Sequence, residues 1–274
     1  SQTIGRPQFR ELAPQSYTDP ESDRTFIGNP FLVDTEILNL DARYEWYFAR
    51  QQFITAGVFY KDLDKPVEAQ IVDIGNQRQQ SFLNAPSATI IGAEVEAKKY
   101  FEFPDNGSPF IANKRWLVQA NYTYSDSEVQ VEDDDTVLTL GGAGTPEQAS
   151  FFIADGSRLQ GQSEHVANLQ LGWEDDAARS QATFIVNYVS ERITARGAGA
   201  ANAREPDYIQ EPGVFLDFVY RKDVTVMDRD LGFALELRNL LDTDFDEYQE
   251  LGNKIRINNY DIGMSGSISL TARF

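Results

Sequence analysis

The stretch Asn259–Phe274 divides by parity into two unlike faces. Tyr260, Ile262, Met264, Gly266, Ile268, Leu270, Ala272 and Phe274 fall on one, and Asn259, Asp261, Gly263, Ser265, Ser267, Ser269, Thr271 and Arg273 on the other. Side chains alternate along a strand, so the pattern predicts one long strand with an oily face and a wet face. At about 3.3 Å per residue such a strand runs roughly 50 Å. Strands of soluble sheets usually hold about 5–6 residues. A long amphipathic strand ending on an aromatic residue is what closure of a membrane β-barrel requires.

The same parity recurs upstream. Leu38, Leu40, Ala42, Tyr44, Trp46 and Phe48 alternate with Asn39, Asp41, Arg43, Glu45 and Tyr47. Burying those wet-face charges unpaired in a dry core would cost several kcal/mol each, so they call for a polar or water-filled interior. Further alternating runs cover Ile54–Lys61, Ile91–Lys98, Trp116–Ser125, Val166–Trp173, Val214–Lys222 and Leu231–Arg238. Ala182–Ser190 is partly apolar on both faces, which leaves its facing open. Ser1–Ala13 contains Pro7, which lacks the ladder donor and suggests an edge or bulge. No helix is predicted. The expectation is an all-β antiparallel barrel wall of ten strands in five hairpins. Connections after odd-numbered strands are long and read as polar loops; those after even-numbered strands are mostly short, the asymmetry of outer-membrane barrels.

Composition is consistent with this. Among 274 residues there is no Cys and one His, which removes disulfides and makes N- or S-ligated metal sites improbable. The chain has no apolar run long enough for a membrane helix, but barrel strands give only a weak hydropathy signal. The formal charge of −19, with no basic stripe, argues against nucleic acid as a partner. Acidic loops serve solubility, or form a rim that attracts cations. The 12% of aromatic residues suits interfacial girdles as well as a β-sandwich core. The chain begins within a strand-like run, which suggests a fragment or processed product.

Particular residues resemble a known family. Ser1-Gln2-Thr3-Ile4-Gly5-Arg6-Pro7-Gln8-Phe9-Arg10-Glu11-Leu12-Ala13-Pro14 is similar to a segment in the later barrel of TonB-dependent outer-membrane receptors. Gly28-Asn29-Pro30-Phe31-Leu32 resembles the element that comes after it there, and Thr35-Glu36 with Asn39-Leu40-Asp41 resembles the start of the next strand. Asn239-Leu240-Leu241-Asp242-Thr243-Asp244-Phe245 resembles an element before the final strand, with Phe245 where Tyr is usual. Phe274 matches the aromatic end that such barrels present to the barrel assembly machinery.

The resemblance implies a 22-stranded barrel holding an N-terminal plug, preceded by a TonB-contacting segment. Neither can be placed here, so residues 1–274 are expected to be about ten C-terminal strands of that barrel. It also implies TonB-energised import of a scarce nutrient, most often a ferric siderophore or similar chelate, with cobalamin, other metals or carbohydrate as alternatives. The implied partners are outer-membrane lipid and lipopolysaccharide, the TonB complex, the assembly machinery and a small-molecule cargo.

Asp41, Arg43, Glu45, Glu94, Glu96, Lys98, Glu236, Arg238 and Arg273 are predicted to face the lumen, pairing across strands or touching a plug. Glu132, Asp133, Asp134 and Asp135 could offer hard oxygens to Ca²⁺, but lack EF-hand spacing. His165 is expected at the barrel rim. No catalytic constellation or cofactor site is found. Two other readings stay open: a passive, porin-like ten-stranded barrel, and a soluble all-β carbohydrate-binding or adhesion module.

Overall fold

The computed structural model describes all residues except 21–23, 75–76, 105–107, 109–110, 112, 200–203, 228 and 274. One antiparallel sheet of ten strands forms the wall: Gln2–Gly5, Thr35–Ala49, Gln52–Asp64, Ser87–Glu102, Arg115–Gln130, His165–Asp175, Ser180–Val189, Gly213–Val226, Arg229–Arg238 and Ser265–Arg273. Each strand pairs with its neighbours in chain order, as successive hairpins dictate. The first and tenth strands are the two edges of this open sheet and do not pair with each other.

Register puts like with like. Leu40 stands opposite Tyr60, which stands opposite Ile91. Val95, Tyr122, Ala167 and Tyr188 form another cross-strand row, and Phe233 faces Leu270. Most of these side chains are exposed where a soluble sheet would hide them: Leu40 at 57%, Ile91 at 59% and Leu270 at 80%. An apolar face this wide and uncovered needs a partner medium. The ambiguous seventh strand is settled by its neighbours. Ala182, Phe184, Val186 and Tyr188 join the apolar rows, while Thr183, Ile185 and Asn187 lie opposite Gly172, Gln170 and Asn168.

The buried core lies instead at the long-connection end. Leu63, Leu83, Ala88, Ile90, Val129, Phe152 and Ile153 form one cluster, and Leu32, Ala69, Ile71, Phe82, Ala195 and Tyr208 a second. The long connections, expected as polar loops, fold into two four-stranded sheets and one two-stranded sheet. The Gln-rich stretch after the third strand is a ribbon, Val67–Ile74 against Gln77–Asn84, buried on both faces near its middle. Burial on both sides erases alternation, so its sequence carries no period-two signal.

Two boundaries differ from expectation. Asn259–Phe274 is not one strand. Lys254–Tyr260 pairs with Phe245–Glu250 in one of the sheets of the long connections, which together make up the cap, and Ser265–Arg273 belongs to the wall. The chain turns between them at Gly263, whose φ of +73° favours glycine. Asn239 holds that turn, donating from Nδ2 to the carbonyls of Thr243 (3.0 Å) and Gly263 (3.2 Å). Phe245, the departure from the family pattern, stacks on Tyr260 at 4.7 Å. Phe274, the proposed assembly signal, lies outside the described residues, and of Arg273 the structure describes only its strand position, opposite Asp230.

The first run is also shorter than Ser1–Ala13. After Pro7 the chain makes one helical turn, Phe9–Leu12, with the Glu11 carboxylate accepting from the Gln8 amide at 2.7 Å. The second family-like motif docks on this turn. Gly28 and Asn29 amides donate to the carbonyls of Ala13 (3.0 Å) and Glu11 (2.6 Å). A Cβ on Gly28 would meet the Ala13 carbonyl oxygen at 2.4 Å. Asn29 is fully buried, and its Nδ2 donates to the carbonyls of Phe82 (2.9 Å) and Leu138 (2.8 Å). Asn29→Ala orphans carbonyls from two separate connections. It is expected to destabilise the cap by roughly 2–3 kcal/mol, read as faster amide exchange at residues 80–84.

Candidate functional site

The wall's second face is polar in continuous rows. Glu45, Thr55, Glu96, Asn121, Asn168 and Asn187 are register partners across six adjacent strands. One step further lie Arg43, Gly57, Glu94 and Thr123. Arg43 is the hub, with Nε 2.9 Å from Glu45 and Nη1 3.5 Å from Glu94. Gly57 leaves room between them, since a Cβ there would come within 3.2 Å of Glu94 Cγ. Gln119 Nε2 donates to Glu96 (3.1 Å), and Asn168 Nδ2 to Asn121 (2.7 Å). Asp41, Arg43 and Glu94, with Asn39 and Lys61, line a recess of about 510 Å³.

Of the expected site residues, Arg43, Glu45 and Glu94 are brought into contact, with Glu96 two residues further along the same strand and face. Lys98 lies on that face with Nζ 5.5 Å from the Tyr100 ring. Glu236 and Arg238 form a second group, joined at 3.4 Å, with Arg221 at 3.5 Å from Glu236. The two groups lie on opposite flanks of the sheet and do not meet. These pairs are solvent-exposed and contribute little stability individually, on the order of 0–1 kcal/mol. Their role is a hydrated, charged surface.

Glu132–Asp135 forms a turn. Asp135 Oδ2 accepts from the Glu132 amide at 2.7 Å, and the Asp133 carbonyl accepts from Gln148 at 3.1 Å. Among the described residues no group of three or more His, Asp or Glu side chains is arranged to hold a metal. His165 begins the sixth strand at the upper end of the apolar face. Its Nδ1 is 2.8 Å from the Tyr122 hydroxyl, and its ring lies 5.5 Å from that of Tyr124.

Sequence reasoning missed the cap's ionic centre. Arg196 is fully buried, and all five of its N–H donors are used. Nε and Nη2 grip Glu68 at 2.7 and 2.8 Å; Nη1 reaches Asp207 at 2.9 Å and Ser157 Oγ at 3.0 Å; Nη2 also reaches the Arg158 carbonyl at 2.8 Å. Burial works against the Arg196 charge, and the Glu68 and Asp207 carboxylates outweigh it, holding the guanidinium above its ordinary pKa. Three long connections therefore meet at one side chain. The other two are tied in by Arg24, paired with Glu247 and donating to Gln80 at 2.8 Å.

Glu191 adds a rim clasp, accepting from Arg158 at 2.8 Å and from the Tyr248 hydroxyl at 3.0 Å. The Arg158 hydrogen bond, assisted by Tyr248, holds its carboxyl below the ordinary range despite partial burial. Burial and then the Glu191 hydrogen bond push the Tyr248 hydroxyl up to about 12. A lowered carboxyl pKa contributes stability above its unfolded value and loses it as pH falls through the folded value. Acidification below the ordinary carboxylate range is thus expected to loosen the junction between residues 158 and 248. Glu191→Gln should flatten that component in exchange profiles taken across pH.

Two-faced wall, folded cap and alternating connection lengths together describe a segment of barrel, and comparison with known families agrees. A search of curated proteins found no match. The family model described as TonB dependent receptor-like, beta-barrel matches residues 1–240. The chain belongs to the TonB-dependent receptor-like β-barrel family, a Gram-negative outer-membrane family of transporters and not of enzymes.

Proposed function

We propose that this chain supplies wall and outer cap to a TonB-energised importer of a scarce nutrient, a ferric siderophore or similar chelate. The observation that carries this reading is the inverted wall: a continuous apolar face left uncovered, backed by charged and amide rows. Lipid satisfies the first face. A lumen holding water and a plug satisfies the second, with Asp41, Arg43, Glu45, Glu94, Glu96, Lys98, Glu236, Arg238 and Arg273 turned inward. Residues 1–274 act as the C-terminal portion of the barrel, and further strands join the free edges of the first and tenth. Phe274 serves recognition by the assembly machinery. The cap faces outward, meets cargo first and contacts lipopolysaccharide at its rim; its interlocked connections make it a preorganised surface, which lowers the ordering cost of binding.

Uptake by intact cells tests this. Labelled ferric chelates and, in parallel, labelled oligosaccharides are offered to cells with and without the receptor, and with and without TonB. The expected result is accumulation of a ferric chelate that requires both proteins. Uptake that persists without TonB supports the passive pore instead, and accumulation of oligosaccharide alone changes the cargo. A receptor that purifies as a water-soluble monomer without detergent refutes the wall reading itself.

A further inference from the structure

The long connections close over the polar face of the wall. Leu63, Ala88 and Val129 are register partners at the upper end of that face, sharing the parity of Glu94. They are buried in one cluster with Leu83, Phe152 and Ile153, which belong to the connections after the third and fifth wall strands. The cap's two four-stranded sheets come from opposite flanks. Ser16–Thr18, Thr25–Ile27, Gln77–Asn84 and Val67–Ile74 belong to the connections after the first and third wall strands. Arg192–Ala195, Tyr208–Gln210, Phe245–Glu250 and Lys254–Tyr260 belong to those after the seventh and ninth.

These two sheets meet edge to edge. Val67–Ile74 ends the first and Arg192–Ala195 the second. Gln70 bridges Arg196 in parallel: the Ile71 amide donates to the Arg196 carbonyl and the Arg196 amide to the Ala69 carbonyl, both at 2.9 Å. Eight strands thus follow one another from the first connection to the ninth, a width of roughly 34 Å at the usual strand spacing. Side chains fasten the same seam. Besides the Arg196–Glu68 and Arg24–Glu247 pairs, Gln160 accepts from the Ala69 amide at 2.6 Å and donates to the Thr194 carbonyl, and Arg78 meets Glu205 at 2.8 Å. The second buried cluster lies across it, with Ala69, Ile71 and Phe82 on one side and Ala195 and Tyr208 on the other. Parting the seam would bare a buried charge pair and an apolar cluster together. The outer edges, Ser16–Thr18 and Lys254–Tyr260, have no further strand beside them among the described residues.

We infer that the connections form one fixed roof across the polar face, welded at the Gln70–Arg196 seam, and that solutes reach the lumen on this side around the roof's outer edges and not through its middle. The part this roof plays in transport rests on the reading of the polar face as lumen. The seam joins elements that start on opposite flanks of the wall, so a single rigid body spans the mouth of this portion of the barrel.

The test pairs spin labels in the reconstituted full receptor, in a background without other cysteines. S16C/I255C spans the whole roof. Y44C/Y188C, at two positions of one cross-strand row on the wall, sets the width expected of a rigid pair. The roof pair is expected to give one narrow distance distribution, no wider than that of the wall pair. R196A should broaden it about twofold or more and leave the wall pair unchanged. A broad or two-peaked roof distribution without R196A, or a width that R196A does not alter, overturns the inference. In cells, a reducible bismaleimide joining R78C to E205C should leave accumulation of labelled ferric chelates and oligosaccharides within about twofold of unbridged cells. A loss of about tenfold or more that reductant restores means that the seam must part, and overturns the inference as well. Accumulation that ignores TonB sinks the transport reading and leaves the distances standing; where no probe accumulates, the distances decide alone.

Discussion

Arg196→Ala will unfasten the cap. Removing the guanidinium leaves Glu68, fully buried, without a counter-charge, leaves Asp207 with Arg204 alone at 3.1 Å, and strands the Arg158 carbonyl. Breaking a buried pair by deleting one partner costs about 3–5 kcal/mol, chiefly the penalty of the uncompensated charge. The wall should survive, because its ladders do not pass through this site. Amide exchange should therefore accelerate by two to three orders of magnitude in residues 67–72, 157–160 and 193–197, with the wall unchanged. Cargo affinity should fall with it. Neutralising the carboxylates as well, in R196M/E68Q/D207N, should recover much of the protection, since the cost lies in the unpaired charges. Equal loss in the single and triple variants would mean that shape, not charge balance, holds the cap.

The second large effect concerns the wall. Val95 is half exposed on the apolar face, between Ala56 and Tyr122. Thr123, between Glu94 and Val166, lies on the polar one. An arginine on the lipid face near mid-membrane costs about 2–4 kcal/mol, whereas one on the lumen face costs little. Val95→Arg should sharply lower the fraction of receptor in its heat-modifiable folded form. Thr123→Arg, beside Glu94, should leave it near wild type. The two positions are neighbours in the sheet, so the comparison varies the face and little else.

This contrast also marks what the sequence made legible. A wall with lipid on one side and water on the other imposes a strict period of two, and the second to sixth, eighth and ninth strands could be read from it. The seventh was ambiguous because Ile185 occupies the polar face, between Gln170 and Asp217. The terminal stretch misled for the opposite reason. Its parity runs unbroken from Asn259 and Tyr260 across Gly263 and into Ser265–Arg273, although Tyr260 ends a strand of the cap and Ser265–Arg273 belongs to the wall. The cap was invisible because its partners are far apart in the chain and no local period joins them. Glu68 and Arg196 are 128 residues apart, and Arg24 and Glu247 are 223 apart. The family-like motifs, by contrast, carried structure as well as resemblance. Asn29 and Asn239 each satisfy carbonyls that would otherwise be buried bare or leave a turn unheld.

The central claim is that the two faces of the wall meet different media. The chain has no cysteine, so single cysteines can be introduced one at a time at Ala93, Glu94, Val95, Glu96, Ala97 and Lys98 in the reconstituted receptor and spin-labelled. Collision with oxygen, which partitions into lipid, should peak at 93, 95 and 97, and collision with a polar nickel chelate at 94, 96 and 98. Accessibility without that alternation, or with its phase reversed, would contradict the claim.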